Sequence, residues 1–178
     1  MVSFPLPILT FLLATVAGAV VFSHDVGPRL ARGLFLAFFV TIALGSLMVG
    51  LRFGYGVETL VPIQRALPLL GGPLLYLGFA VLSVSRERAW RLVAIHLGIT
   101  VALALAMPVV GRSWEGVDLL IPLSYIVYAV GLLLLRRLGG NHLKRARLEA
   151  VPGLLRMMVL GALFLLAFGI VDSAISIS

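Results

Sequence analysis

The segment LRFGYGVETLVPIQRALPLLGGP, residues 51–73, places two arginines, a glutamate, a glutamine, a tyrosine and three prolines between long apolar runs. If those runs cross a membrane, the segment is a connection at one face of a helical bundle, and its polar groups are the first candidates for a site. The chain around it favours that setting. Of its 178 residues 61% are hydrophobic and 12% charged, whereas a soluble domain carries about 25% charged residues.

Working outward, apolar runs of the roughly 17 to 25 residues needed to cross the hydrocarbon core recur along the chain. The reading is an all-α, polytopic transmembrane helical bundle, a single integral membrane domain over residues 1–178. Six spans are expected, at residues 6–23, 33–51, 67–84, 92–110, 119–135 and 157–175. Lipid offers no partner to exposed backbone amides, so the spans must be helices. The short alternating segments of an outer-membrane barrel are absent from the sequence. The first apolar run lacks a basic flank before it and resembles a first transmembrane helix more than a cleaved signal peptide.

The formal charge of +7 reports topology. Arg29 and Arg32 flank the first connection, Arg86, Arg88 and Arg91 the third, and Arg136, Arg137, Lys144, Arg145, Arg147 and Arg156 the fifth. Only Arg52, Arg65 and Arg112 remain for the second and fourth. This asymmetry places the odd connections in the cytoplasm and the N-terminus outside the cell, by the positive-inside rule. The basic residues of the third and fifth connections, Arg86, Arg88, Arg91, Arg136, Arg137, Lys144, Arg145, Arg147 and Arg156, read as anchors facing anionic headgroups of the lipid bilayer. With no cysteine, disulfide and thiolate chemistry is excluded.

On this topology the opening segment is extracytoplasmic. Pro62 disfavours a continuous helix into the third span, so residues 60–66 are expected to form a short interfacial piece. Gly71, Gly72 and Pro73 are expected to break or kink the entrance to that span. Arg52, Tyr55, Glu58, Gln64 and Arg65 then share a face with Trp114, Glu115 and Asp118. Asp172 joins them, since it lies sixteen residues after Arg156, about 24 Å across the membrane. A carboxylate at that depth needs a partner or water, and Arg52 and Arg65 are the candidates. The cluster reads either as a structural clamp, as an outward-facing ligand site, or as part of a solute pathway. Inside the spans, isolated groups such as Thr41, Thr100, Ser124, Tyr125 and Tyr128 are expected to bond to backbone or neighbouring helices. His96 reads as a packing residue.

The fifth connection, RRLGGNHLKRARLEAVPGLLR, is expected to stop the preceding helix at residues 139–141, make a basic turn or two, and enter the last span through Pro152. No phosphate-binding loop, dinucleotide fingerprint, metalloprotease helix or nucleophile elbow is present. No catalytic residue, metal site or cofactor is assigned, and an enzyme is not expected.

Three stretches carry a resemblance: LMVGLRFGYGVETLVPIQRALPLLGGPLLYLGF, VDLLIPLSYIVYAVGLLLLRRLGG and RARLEAVPGLLRMMVLGALFLLAFGIVDSAISI. Together they resemble the membrane-embedded N-terminal portion of bacterial transcription regulators of the arabinose-regulator (AraC) type. That resemblance implies a bacterial inner-membrane sensory or signal-transducing domain whose partners are a cytoplasmic effector or a second copy of the chain. It also implies a seventh helix followed by a DNA-binding module. Neither lies within these residues, so direct nucleic acid binding is not expected of this chain. A small-solute transporter or channel and a structural subunit of a membrane complex are the alternatives.

Overall fold

Charge-free and strongly apolar, the first run forms α1, Leu6–Ser23. Pro28 then holds extended backbone at φ −55°, ψ 145°, from which α2, Arg29–Tyr55, starts; Gly56 ends it in the left-handed region at φ 68°, its N–H donating to the Arg52 carbonyl. A side chain would strain that conformation. A short α3, Val61–Ala66, leads into α4, Pro68–Ala80, followed by α5, Arg86–Val110, α6, Glu115–Arg137, and α7, Val151–Ile177. The computed structural model describes residues 6–23, 27–110 and 115–177, but not the side chains of residues 107–110, 115–119, 171–172 and 174–177.

Helices α1, α2, α5, α6 and α7 are each long and apolar enough to cross a membrane. Their outward surfaces are apolar as well: Leu13, Phe22, Leu105 and Ile170 are all exposed. Such a surface is stable in lipid and not in water. The chain is an all-α, multi-pass membrane bundle.

The expected third span, residues 67–84, has a different form. Its helix α4 has only 13 residues, short for a lone span and typical of a helix buried within a protein. It is surrounded: Leu69, Leu74, Leu75, Leu77, Phe79 and Ala80 are buried, as are Gly71, Gly72 and Pro73. Helix α4 packs against α2, α6, α5 and α7, so it is the hub of the bundle. With Leu67 in helical geometry between them, α3 and α4 carry twenty residues, about 30 Å of helical rise.

The interruption also lies elsewhere than expected. Gly71, Gly72 and Pro73 fall inside α4; the break is at Leu67 and Pro68, one turn earlier. Pro68 has no N–H to give the Gln64 carbonyl, and Leu70 N–H donates to the Leu67 carbonyl at 3.0 Å, a tighter, three-residue turn. The glycines serve close approach. A Cβ on Gly72 would stand 2.8 Å from Tyr128 Cδ2, and one on Gly78 2.5 Å from the Phe35 ring.

The helices begin earlier than the expected spans, at Arg29, Arg86 and Val151. Arginine is a good helix former whose head reaches toward the interface while its stem stays apolar, so the helices run on beyond the hydrocarbon. The fifth connection follows the sequence reading. Helix α6 stops before Gly139, at φ 78°, and two single 3-10 turns, Gly140–His142 and Leu148–Ala150, precede α7.

The odd connections meet at one end of the bundle. Arg145 N–H donates to the Leu82 carbonyl at 3.0 Å, and a Cβ on Gly27 would lie 3.0 Å from the Arg145 carbonyl and 3.2 Å from Leu82 Cδ2. Residues 27, 82 and 145 belong to the first, third and fifth connections, so the alternation of helix direction is geometrical fact.

Candidate functional site

The opposite end is built from the α2–α4 connection and the adjoining ends of α6 and α7. The start of α4 lies beside α6, since a Cβ on Gly71 would be 3.6 Å from Tyr125 Cε1, and Gly169 of α7 lies beside Pro122 and Tyr125. The backbone thereby brings residues 52–65, the start of α6 and the end of α7 to one end.

Within that set, Arg52 is partly buried and its guanidinium carbon stands 5.4 Å from the centroid of the Phe53 ring, a distance at which a cation is attracted to the π face. Phe53 and Tyr55 are 78% and 82% exposed, as suits aromatic side chains at the headgroup boundary. Glu58 is exposed. Arg65 is partly buried and partnered. Gln64 is the unusual member, for its Oε1 is enclosed and has no hydrogen-bond partner among the described residues. An enclosed amide oxygen left unpaired costs about 1 to 3 kcal/mol. Trp114 lies outside the described residues, as do the side chains of Glu115, Asp118 and Asp172; pairing of Asp172 with Arg52 or Arg65 lies there too.

At the basic end, Arg86, Arg88, Arg91, Arg136, Arg137, Lys144, Arg147 and Arg156 are exposed. Arg147 is partnered. Arg145 differs: it is partly buried, with Nη1 enclosed and without a partner among the described residues. Trp90 is exposed beside Arg91.

A second polar constellation sits inside the bundle, and the sequence reading did not assemble it. His96 Nδ1 and the Tyr128 hydroxyl share a hydrogen bond of 2.9 Å between α5 and α6. Tyr76 of α4 closes the triangle, its ring centroid 5.8 Å from that of His96 and 5.6 Å from that of Tyr128. One turn along α5, buried Thr100 donates to the His96 carbonyl at 2.8 Å. Thr41 bonds likewise to the Ala37 carbonyl. Among the described residues α5 packs extensively only on α4, and the His96–Tyr128 bond is a polar tie from it to α6. A signal was present in the sequence: His96/Thr100, Gly72/Tyr76 and Ser124/Tyr128 are i, i+4 pairs on three apolar helices, each pair defining one face.

Among the described residues no group of three or more His, Cys, Asp or Glu could hold a metal ion. Comparison of the chain with protein-family models, curated proteins and solved structures finds no match.

Proposed function

We propose that the chain is a membrane-embedded sensory and signal-transducing domain of the bacterial inner membrane, with the odd connections in the cytoplasm and the α3 end facing outward. The observation that carries this reading is mechanical. The polar segment containing Gln64 and Arg65 runs through one break, at Leu67 and Pro68, directly into the hub helix α4. A ligand or stimulus that reorients α3 therefore acts on the helix that touches α2, α5, α6 and α7. The Gln64 Oε1, enclosed and without a partner among the described residues, is a group whose energy changes when that reorientation gives it a partner, and such differential stabilisation is what shifts a two-state equilibrium. The resemblance to arabinose-regulator type proteins points the same way.

The experiment is a pair of spin labels at Ile63→Cys and Leu148→Cys, on opposite ends of the bundle, with the protein in nanodiscs. A transducer gives two distance populations whose ratio changes when Pro68→Ala removes the break. One narrow population, identical in the variant, would overturn the reading.

A further inference from the structure

We infer that the cleft between α1–α2 and α7 is a binding site for one anionic phospholipid, which seats an acyl chain in the cleft and its phosphate between Arg32 and Arg156. The cleft has a volume of about 810 Å³, within the roughly 300 to 1,000 Å³ of small-molecule sites. Its walls are α1 and α2 on one side and α7 on the other; Leu75 and Phe79 of α4 form its floor. Among the described residues one ring contact, Phe38 to Phe164 at 6.1 Å, joins its two walls. Among the described residues α1 and α7 make no extensive contact, so the cleft opens sideways into the bilayer, and a hydrocarbon chain rather than water fills it.

The lining runs from Thr10 to Val21 on α1 and from Leu154 to Phe168 on α7, about 17 to 21 Å at the helical rise. A leaflet is half of about 30 Å, so a chain from the adjoining leaflet fits along it. Apolar fit alone gives no preference among lipids, because a chain gains nothing by leaving one hydrocarbon for another. The charges at its end supply one. Arg32 precedes the lining residue Phe35 by three positions, and Arg156 precedes the lining residue Leu160 by four. Neither arginine lines the cleft itself; these spacings set Arg32 beside Phe35 and Arg156 beside Leu160, at the edge of the lining on either wall, at the end where the odd connections gather. Among the described residues neither makes an ion pair. The enclosed, unpartnered Nη1 of Arg145 lies at the same end. A phosphate suits such arginines because the guanidinium fork matches its oxygens.

The test is native mass spectrometry of the chain released from nanodiscs of equal phosphatidylglycerol and phosphatidylcholine. One phosphatidylglycerol should be retained about thirtyfold over phosphatidylcholine, as two arginine contacts supply. The double variant Arg32→Gln, Arg156→Gln should lose that preference, and Ala17→Trp, which fills the cleft, should lose both lipids. The arginine pair lies outside the core, so the test stands even if Ala17→Trp fails to fold. Equal retention of the two lipids, or a preference unchanged in the double variant, overturns the proposal. So does full disulfide cross-linking between copies through Ala17→Cys, which would make a second copy the occupant.

Discussion

The imidazole of His96 and the phenol of Tyr128 are joined by a 2.9 Å hydrogen bond across α5 and α6, within the membrane-spanning part of the bundle. Tyr128→Phe leaves the His96 nitrogen without that partner in an apolar setting. The expected loss is about 0.6 to 1.7 kcal/mol, the scale of interhelical hydrogen bonds in membranes. A double-mutant cycle with His96→Leu, read by unfolding in bicelles, should give coupling of that size. Additive effects would show that the contact contributes nothing.

Glycines in this bundle separate into two classes. Gly72→Ala and Gly78→Ala push a methyl against Tyr128 and Phe35, at 2.8 and 2.5 Å, and should cost about 1 to 3 kcal/mol each by overpacking. Gly45→Ala and Gly98→Ala meet nothing within 4 Å and should be neutral or raise the thermal midpoint. Equal effects in the two classes would contradict the packing around α4.

At Gln64 stability and function should diverge. Gln64→Met removes an enclosed oxygen that has no partner among the described residues, so the midpoint should hold or rise by the equivalent of about 1 kcal/mol. The ratio of the two Ile63–Leu148 distance populations should shift in the same variant. A variant that is destabilised instead would mean that the carbonyl already has a partner.

Topology is open to direct labelling because the chain has no cysteine. Thr59→Cys should react with an impermeant maleimide added to intact spheroplasts, and Asn141→Cys only after permeabilisation. The reverse pattern would invert the bundle and remove the positive-inside argument.

Much of this architecture was legible from residue types alone. The run 6–23 forms one helix, long and apolar enough to cross a membrane, because hydrocarbon thickness sets the length of such runs, and Gly139 stops α6 because only glycine takes φ 78° without strain. The 61–80 segment misled because Gly-Gly-Pro signals a helix break in isolation, whereas Tyr125 and Tyr128 pack closely against Gly71 and Gly72. Propensity yields to tertiary contact there. Of the polar cluster, the backbone brings residues 52–65, the start of α6 and the end of α7 to one end; the side chains of Glu115, Asp118 and Asp172 lie outside the described residues. The His96–Tyr128–Tyr76 triangle was not legible, since three residues on three helices meet only when helix rotation is known. The cleft was invisible for the same reason: its lining is ordinary apolar sequence.

The brevity and enclosure of α4 also set an order of events during synthesis. Its thirteen residues include two prolines and three glycines, too poor a helix former to enter hydrocarbon unaided. The surfaces that shelter it come from α2, made before it, and from α6, made about fifty residues later. Until the ribosome has delivered α6, the segment that becomes the centre of the protein has no place to be, and chains truncated before Arg137 should be recognised and degraded as unfinished.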